Sequence, residues 1–390
     1  MPDDSRIRVT HILTKPELGG AQANTLHTVR HLDRRVFAPA LITSPQGPLA
    51  AEMANIDDAE VAFVPELVRD IRPLTDWEAL SRIEALLRRS RPHIVHTHST
   101  KAGLLGRWAA RRAGIPTVIH SVHGFPFHDH MPAPRRALYR AVERHAARMT
   151  DRFICVARSD IRKGVEAGIF TEDKVELIRS GINLAPFREA PGCGRSLRTE
   201  LEIPADAPLV GMVACLKPQK DPLAFVHMAA RVLTRVPGAW FLMVGDGELR
   251  PQMEIVRDRL GIKPRFRMVG WRRDIPAVMD ALDVLVLTSL HEGLPRVVPE
   301  AMAGGCPVVA TAVDGTPEAV HHGETGYLVA PRDVDGLTEH VVGLIQEPDR
   351  ARTMGEAGSR KVAEFDIDLM VTHQERLYSG LVERFNREAA

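Results

Sequence analysis

The sequence predicts an α/β protein of two doubly wound, Rossmann-like domains that face each other across a cleft. With 390 residues, the chain is longer than one ordinary hydrophobic core accommodates, at about 150 residues per domain. Short apolar runs rich in β-branched residues alternate with longer segments of helical period, and this alternation starts afresh after residue 208. The runs are continuously apolar, as in parallel sheets that helices cover on both faces.

The first series of apolar runs predicts an N-terminal domain over residues 1–185. Its predicted strands are 8–14, 37–43, 60–64, 93–98, 117–123, 152–157 and 174–178. The segments between them have helical periodicity, and in 75–90 the apolar residues recur every three or four positions. Ligands of such sheets bind beyond the carboxyl ends of the strands, so we expect functional residues in the loops that follow the strands.

The second series predicts a C-terminal domain over residues 186–370. Its predicted strands are 209–215, 239–245, 266–270, 284–289, 307–311 and 326–330. The stretch 182–196 contains Pro and Gly and predicts a linker between the domains. Residues 371–390 predict a last helix that crosses the hinge and packs back on the N-terminal domain.

The composition is that of a soluble globular protein, with 44% hydrophobic and 26% charged residues. We find no apolar run long enough to span a membrane, and the acidic start "MPDDSRIRV" predicts no signal peptide. The four cysteines lack CxxC spacing, which is typical of a reducing compartment. We therefore expect a cytoplasmic protein.

Positive charge is concentrated in one part of the chain. The net charge is only +1, but residues 101–163 hold 13 basic and 4 acidic side chains. In the predicted helix 132–149, Arg136, Arg140 and Arg144 recur at four-residue steps and form a cationic stripe. This pattern favours either contact with an anionic partner, such as a membrane surface or phosphates, or simply a solvated helix face.

Two common nucleotide-binding signatures are absent from the sequence. There is no G-x-x-x-x-G-K-[ST] motif, and "VGDGEL" (244–249) lacks the third glycine of the dinucleotide fingerprint. ATP hydrolysis and hydride transfer are therefore disfavoured. Gly19, Gly20 and Gly245 still lie between a strand and a helix, where glycine lets the backbone approach an anion. An ordinary tight turn is the alternative interpretation.

Two further loops carry charged side chains that suit a nucleotide sugar. In "ACLKPQKDP" (214–222), Lys217 and Lys220 follow a strand and can hold a diphosphate, although such lysines are often merely exposed. In "HEGLPRVVPEAMAGG" (291–305), Glu292 precedes a Gly-Leu-Pro turn and Glu300 lies inside the next helix, with Pro295 at its first position. Carboxylates accept paired hydrogen bonds from vicinal hydroxyls, and the helix N-terminus between the glutamates suits a diphosphate.

Histidines form a second group of candidates. His93, His96 and His98 resemble a zinc ligand set, but no nearby carboxylate or cysteine pattern completes it, so we interpret them as hydrogen-bonded histidines. We expect no metal and no cofactor. His123 ends a strand and faces the predicted cleft.

These motifs, taken in order, resemble the retaining glycosyltransferases of family four, which have the GT-B fold. The resemblance covers essentially the whole chain, and residues 96–129 are especially similar to bacterial members that extend lipid-linked polysaccharide precursors. The motifs that carry it are "GGAQ" (19–22), "HTHSTKAGLLGR" (96–107), "VIHSVHGFPFHD" (118–129), "LKPQKDP", "VGDGELR", "VGWRRDI" (269–275), the E-x7-E stretch from Glu292 to Glu300, and "DGTPEAV" (314–320).

The resemblance implies roles for individual residues. Glu292 would contact the donor sugar and Glu300 the nucleotide ribose. The remaining roles are diphosphate binding by the amides of Gly293, Leu294 and Pro295, charge neutralisation by Lys220, loop closure by Gly20, reception of the base by the backbone around Arg272, and contact of His123 with the sugar and the acceptor.

The chain departs from the family pattern at one position. Family members usually have arginine where this chain has Cys215, as in G-R-L-x-x-x-K. Either Lys217 takes over that charge, or diphosphate binding is weaker than usual.

The resemblance thus implies a hexosyl- or N-acetylhexosaminyltransferase of cell-surface polysaccharide biosynthesis. The donor would be a nucleotide sugar, most simply a UDP-sugar, and the acceptor a glycan or a lipid-diphosphate-linked glycan bound by the N-terminal domain. The basic part of that domain would contact the inner face of the membrane, and we expect no nucleic-acid partner. Two alternatives remain: a GT-B epimerase that needs no acceptor, and a non-catalytic nucleotide-sugar-binding module, which only Cys215 favours.

Overall fold

The chain folds into two compact units. The computed structural model describes residues 6–128 and 131–389, so residues 1–5 of the acidic start and Asp129 of the motif 118–129 lie outside the described residues. Unit 1 consists of Met1–Gly181 and Ile367–Ala390, and unit 2 of Ile182–Asp366. Unit 2 is therefore inserted into the sequence of unit 1, close to its C-terminal end.

Each unit contains one parallel sheet. In its described residues, unit 1 has seven strands, which are β1 (Ile7–Ile12), β2 (Phe37–Thr43), β3 (Glu60–Phe63), β4 (Ile94–His98), β5 (Thr117–Val122), β6 (Arg152–Cys155) and β7 (Val175–Leu177). Unit 2 has six, which are β8 (Leu209–Val213), β9 (Trp240–Val244), β10 (Phe266–Gly270), β11 (Val284–Leu287), β12 (Val308–Thr311) and β13 (Gly326–Val329).

Helices connect the strands and cover the sheets. Along the described chain they are α1 (Gly20–His31), α2 (Ala50–Ala54), α3 (Pro73–Ser90), α4 (Thr100–Arg112), α5 (Ala133–Ala147), α6 (Arg158–Glu166), α7 (Ala185–Glu189), α8 (Cys193–Glu200), α9 (Pro222–Arg235), α10 (Arg250–Arg259), α11 (Ile275–Ala281), α12 (Val297–Ala303), α13 (Thr316–Ala319), α14 (Val334–Gln346), α15 (Pro348–Lys361) and α16 (Ile367–Ala389). None of the described helices is both long enough and apolar enough to cross a membrane.

Both sheets have the doubly wound topology. The strand order is β3-β2-β1-β4-β5-β6-β7 in unit 1 and β10-β9-β8-β11-β12-β13 in unit 2. The winding direction reverses between β1 and β4 in the first sheet and between β8 and β11 in the second. At such a point the flanking loops diverge and leave room for a ligand at the carboxyl edge of the sheet.

The last helix, α16, completes the core of unit 1. Its residues Ile367, Met370, Val371 and Tyr378 pack against one face of the sheet, on side chains that include Val9, Ile94, Ile119 and Ile154. Tyr378 is fully buried. Burying a large apolar side chain is worth roughly 1.5–3 kcal/mol, so α16 is part of the core of this unit rather than an appendage.

Unit 2 has a core of its own, and its two chain ends are hydrogen-bonded to each other. Phe225, Phe241 and Phe266 pack together under its sheet, and all three are buried. The N–H of Ile182, where the chain enters, donates to the carbonyl of Phe365, where it leaves, at 2.8 Å. The points where the chain enters and leaves unit 2 are therefore adjacent in space.

The predicted α/β fold agrees with the structure, and every predicted strand is present within two residues of its expected bounds. The stretch 182–196 differs from the expected irregular linker. It contains α7 and the start of α8, and it belongs to unit 2. The N–H groups of Gly192 and Gly194 donate to one carboxylate oxygen of Asp280, at 2.9 and 2.7 Å, which fixes this segment against α11.

Candidate active site

The predicted donor-binding residues of unit 2 lie along the carboxyl edge of its sheet. Lys217 and Lys220 follow β8, Gly245 follows β9, Arg272 follows β10 and Glu292 follows β11. Because β8 and β11 are neighbours where the winding reverses, the lysine loop and the glutamate loop lie side by side.

Glu292 is held in one position by three groups. It is 8% exposed, and its Oε1 forms an ion pair with the Lys220 ammonium. The same oxygen accepts a hydrogen bond from Ser289 Oγ at 2.6 Å. Its backbone N–H donates to Asp314 Oδ2 at 2.6 Å. Within the part of the chain that the structure describes, Oε2 of Glu292 makes no hydrogen bond or ion pair, so it could accept a hydrogen bond from a ligand.

Hydrogen bonds also connect the two loops through their backbones. Thr288 Oγ1 lies 2.7 Å from the carbonyl oxygen of Lys220 and 2.9 Å from that of Asp221. Gln219 Nε2 donates to the carbonyl of His291 at 2.9 Å. Lys220 therefore sits on a loop that β11 holds in place.

Two backbone N–H groups after Glu292 lack protein acceptors. Among the described residues, the N–H groups of Gly293 and Leu294 make no hydrogen bond, although both residues are buried. Pro295 has no N–H to offer. Unpaired N–H groups beside a lysine suit an anionic oxygen, because buried backbone donors are nearly always satisfied.

The helix after this turn begins later than predicted. We expected Pro295 at the first helical position, but α12 begins at Val297. The carbonyl of Pro295 accepts from the N–H of Val298 at 3.0 Å, a tighter three-residue spacing that forms a turn before the helix.

Glu300 lies on the fourth residue of α12, with its side chain 18% exposed. Burial raises the pKa of its carboxyl group, while Arg296, at 3.8 Å, acts in the opposite direction. Ala301 and Met302 are buried, as expected for the opposite face of the helix. The carboxylate therefore has accessible acceptor oxygens in a partly desolvated setting.

The side chain of Arg272 is occupied by protein groups. Its guanidinium binds both oxygens of Glu200, at 2.6 and 3.0 Å, and both oxygens of Asp274, at 2.9 and 2.7 Å. These bonds raise the pKa of Arg272. Only the backbone at this position remains for a base, which is the role that the resemblance implies.

Gly245 has a backbone reason to be glycine. Its φ is +126°, and a Cβ here would collide with the carbonyl oxygen of Ala214. The loops after β8 and β9 thus touch at this point. In the loop after β8, the N–H of Lys217 donates to the carbonyl of Cys215 at 2.8 Å. The Cys215 side chain is half-buried and not in a disulfide.

In unit 1, Gly19 and Gly20 form the N-terminus of a helix at the point where the winding reverses. Gly19 is the residue before α1, and Gly20 is its first residue. The first turn of α1 contains no acidic side chain, so its free N–H groups carry a positive potential.

His123 follows β5, and its imidazole contacts a second one. His123 Nε2 lies 3.3 Å from His98 Nδ1, and His98 Nε2 lies 3.1 Å from His11 Nδ1. Burial lowers the pKa of His123 to about 4 and that of His11 to about 3. Burial also holds the pKa of His98 well below its usual value. All three rings are neutral at physiological pH.

The other two histidines that resemble a zinc ligand set, His93 and His96, bond to protein groups. His93 Nδ1 accepts from the N–H of Arg8 at 2.9 Å. His11, His96 and His98 have ring nitrogens within 4.8 Å of one another. However, both nitrogens of His96 already have partners, with Tyr378 OH at 2.7 Å and Ser121 Oγ at 2.8 Å. This arrangement favours a hydrogen-bonded network, as we interpreted the sequence.

A small polar cavity lies beside His98 and His123. Asn24 of α1 lines it with them and is 3% exposed. Neither polar atom of the Asn24 amide has a partner among the described residues. An unpaired buried amide is costly, so this cavity suits a polar group.

Several of these contacts were missed in the sequence. Ser289, Asp314, Asn24 and His11 were given no role. Asp314 lies in the motif "DGTPEAV" and His11 in the first predicted strand, so their residue types were visible. Their partners, Glu292 and His98, lie many positions away in sequence and could not be inferred from it.

The sequence matches two family models, and between them they cover most of it. The Glycosyl transferase 4-like domain matches residues 19–181, and the Glycosyl transferases group 1 model matches residues 207–347. The chain is 33% identical to the Escherichia coli UDP-Gal:alpha-D-GlcNAc-diphosphoundecaprenol alpha-1,3-galactosyltransferase over 381 residues, covering 97% of this chain and 98% of the relative. A D-inositol 3-phosphate glycosyltransferase of Mycobacterium tuberculosis is 26% identical over 430 residues, covering 99% and 85%.

Solved structures share the fold at low sequence identity. Anabaena HepE in complex with UDP-glucose has a TM-score of 0.83 at 20% identity, covering 96% of this chain and all of that one. Sucrose-phosphate synthase from Thermosynechococcus elongatus has a TM-score of 0.82 at 22% identity, covering 97% of this chain and all of that one.

The two doubly wound sheets, with charged loops at their carboxyl edges, define a GT-B glycosyltransferase. The chain belongs to glycosyltransferase family four. The predicted family, fold and enzyme class are therefore confirmed.

Proposed function

We propose that this enzyme transfers a hexose from a UDP-hexose to a lipid-diphosphate-linked N-acetylhexosamine, with retention of the anomeric configuration. The observation that carries the proposal is the Glu292 loop. There, the Lys220 ammonium and the unpaired N–H groups of Gly293 and Leu294 flank a fixed carboxylate. The full-length similarity to a UDP-galactose-dependent enzyme with a diphosphoundecaprenol acceptor supports the choice of substrates.

Each part of the donor has a partner in unit 2. The diphosphate is held by Lys220, Lys217 and the two N–H groups. Glu300 accepts hydrogen bonds from the vicinal hydroxyls of the ribose, and the free Oε2 of Glu292 accepts from the hexose. Charge-assisted hydrogen bonds of this kind contribute roughly 1.5–3 kcal/mol each. In this assignment Lys217 supplies the charge that arginine at position 215 supplies elsewhere in the family.

The reaction needs no cofactor. The bond between the anomeric carbon and the β-phosphate oxygen breaks, and the electron pair leaves with UDP. Lys220 and the loop N–H groups stabilise the growing charge on that oxygen. An acceptor hydroxyl attacks the anomeric carbon from the face that UDP leaves, and its proton passes to the departing phosphate oxygen.

The acceptor places the enzyme at the inner face of a membrane, as a cytoplasmic protein. The basic part of unit 1 supplies the contact, although two arginines of the predicted stripe are already engaged. Arg144 Nε donates to the carbonyl of Ala167 at 2.5 Å, and Arg140 lies 5.3 Å from the ring centre of Phe127. Leu138 of α5 is exposed, and so is Arg135, whose guanidinium lies 5.7 Å from the ring centre of Tyr139; these exposed side chains can face the lipid surface. Flotation with phosphatidylglycerol vesicles should fall with added salt, and salt-independent binding would contradict the contact.

Calorimetry with UDP, GDP and ADP tests the donor site. We expect binding of UDP alone, and its loss in Glu300→Ala. A preference for GDP or ADP would change the donor class, and no nucleotide binding at all would overturn the proposed donor site.

A transfer assay then tests the reaction. UDP-galactose, UDP-glucose and UDP-N-acetylglucosamine are each supplied with a short-chain lipid-diphosphate-N-acetylglucosamine, and the product linkage is determined by NMR. We expect an α-linked disaccharide with one of the hexoses. Donor conversion without acceptor would instead identify an epimerase, which none of the relatives described above supports by name.

A further inference from the structure

Three imidazoles of unit 1 lie in a row that ends at His123. The row runs from His11 on β1 through His98 on β4 to His123 after β5, with contacts of 3.1 and 3.3 Å. His11 is fully buried and His98 is 3% exposed, while His123 is half-buried. The strands on which they stand are adjacent in the sheet, so the backbone fixes the spacing of the rings.

The row has only two proton arrangements, because a neutral imidazole has one N–H donor and one bare nitrogen. In the first, each ring carries its proton on Nδ1, so that His11 donates to His98 and His98 donates to Nε2 of His123. In the second, each ring carries its proton on Nε2, and the hydrogen bonds run in the opposite direction. The arrangement at one end therefore dictates the arrangement at the other.

The buried end selects the first arrangement. Nε2 of His11 has no partner among the described residues. In the second arrangement this atom would be a buried N–H without an acceptor, whereas in the first it is only a bare nitrogen without a donor. Buried donors without acceptors are the rarer and more costly case.

The neighbouring histidines do not disturb this choice. His96 bonds Tyr378 and Ser121, and His120 Nδ1 lies 2.9 Å from Thr97 Oγ1. Burial keeps the pKa of both rings well below the usual value, so they add no charge beside the row. Arg107, near His120, is paired with Glu143 at 3.1 Å.

We propose that His98 and His11 are positioning residues that hold His123 as its Nδ1–H tautomer. His123 then acts as a hydrogen-bond donor to a hydroxyl or ring oxygen of the sugar substrates, and not as a base that removes the acceptor proton. The hydrogen bond of this ring to the described residues uses Nε2, which leaves the proton on Nδ1 for a ligand. The role toward sugar rests on the proposed function, but the tautomer does not.

NMR of the full-length protein with ¹⁵N-labelled histidine tests the tautomer without any substrate. Signals are assigned by their loss in His123→Gln, His98→Asn and His11→Gln. We expect Nδ1–H at all three rings, unchanged between pH 5.5 and 8. An Nε2–H form of His123, or titration of His123 within that range, would overturn the proposal.

Kinetics with substituted His98 test the positioning role. The amide nitrogen of Asn can occupy the place of Nδ1 and donate to His123, whereas Leu fills similar volume without a donor. We expect His98→Leu to lower kcat/KM by about tenfold or more and His98→Asn to recover most of it, with UDP affinity unchanged in both. Equal activity of the two variants would refute the role.

Two controls separate the possible failures. His93→Gln changes a histidine at the amino end of the same strand, outside the row, and should leave kcat/KM unchanged. Circular dichroism shows whether the His98 variants fold. If the wild-type enzyme transfers no sugar at all, the proposed function fails while the NMR result still decides the tautomer.

Discussion

Glu292 and Glu300 are the two carboxylates of the proposed donor site, and different forces act on them. Glu292 is fixed by Lys220, Ser289 and the backbone bond to Asp314. Glu300 is held by helix α12, and burial disfavours its charge. Substituting each with its neutral isostere, Gln, should therefore have different effects. At Glu292 it should lower turnover, whereas at Glu300 it should weaken nucleotide binding and raise the stability of the fold.

Glu292→Gln should remove turnover with little loss of nucleotide binding. The amide keeps the shape of the side chain but removes the negative charge that orients Lys220 and contacts the hexose. Loss of one preorganised charged group at a reacting centre lowers kcat by about 100-fold or more. Steady-state transfer kinetics and UDP calorimetry on the same preparation measure both quantities, and a variant with wild-type kcat would place the reacting centre elsewhere.

Glu300→Gln should weaken UDP binding and stabilise the fold. The folded state raises the pKa of Glu300, so ionisation is unfavourable in the fold and the charge lowers stability at neutral pH. Removing it should raise Tm by about 1–4 °C, while fewer charge-assisted bonds reach the ribose. The exposed Glu356→Gln on α15 is the matched control. A lower Tm for Glu300→Gln would mean that its contact with Arg296 outweighs burial.

At this scale the sequence pointed to the charged side chains proposed to bind the donor, but not to the groups that hold them in place. Lys220 and Glu292 were predicted because each follows an apolar strand in a motif of fixed spacing. Ser289 bonds Glu292 from three residues earlier in the same loop. Asp314 and His11 act through contacts with residues that are distant in sequence, and local patterns carry no information about such contacts.

Among the elements, the turns at the carboxyl edges are the most constrained. Gly245 has a φ that L side chains rarely adopt, and the Ala214 carbonyl fills the place of a side chain. This contact brings the loop of Cys215 and Lys217 against the end of β9.

Gly245→Ala should therefore destabilise unit 2 by about 2 kcal/mol or more, because the loop has to move. The matched control is Gly238→Ala, since a Cβ at Gly238 meets no atom within 4 Å. Urea unfolding measures both variants. If they unfold at the same midpoint, the loop after β9 tolerates the displacement, and Gly245 is required for ligand approach alone.

Strands were easier to predict than helix ends and connections. A buried parallel strand is a continuous apolar run, so each was visible. The predicted start of α12 was two residues too early, because Pro295 begins a tight turn rather than the helix itself. The segment 182–196 was expected to be a linker, and its order depends on Asp280, which is distant in sequence.

For the whole molecule, the buried histidines of unit 1 predict sensitivity to acid. Burial lowers the pKa of all five below the ordinary value of 6.5, to about 3 for His11 and about 4 for His123; the others are His96, His98 and His120. The unfolded chain then binds protons that the folded chain does not. Stability is therefore lost as the pH falls below 6.5, until the folded pKa values are reached.

Well below pH 6.5, each such histidine lowers the free energy of unfolding by about 1 kcal/mol per pH unit, and it lowers it less steeply near pH 6.5. The urea midpoint of unit 1 should therefore be clearly lower at pH 5.5 than at pH 7.5, and the difference should shrink in His11→Leu. Equal midpoints at the two pH values would contradict the burial of these rings.

Removal of α16 should destabilise unit 1 and leave unit 2 intact. A chain that ends at Asp366 lacks Ile367, Met370, Val371 and Tyr378, so one face of the unit 1 sheet is exposed to water. We expect rapid proteolysis of unit 1 and retained UDP binding by unit 2. A chain that ends at Arg384 keeps all four side chains and serves as the control. Unchanged protease resistance of unit 1 in the shorter chain would show that α16 is dispensable.

The same helix fixes the order in which a nascent chain can finish folding. The strands of unit 1 leave the ribosome first, but α16 follows only after the whole of unit 2. Because synthesis proceeds at about 5–20 residues per second, the apolar face of the sheet stays exposed for roughly ten to forty seconds before α16 is made. Unit 2 can fold completely in that interval. The unit that is begun first is therefore completed last, and during translation its uncovered sheet is the surface that a chaperone has to protect.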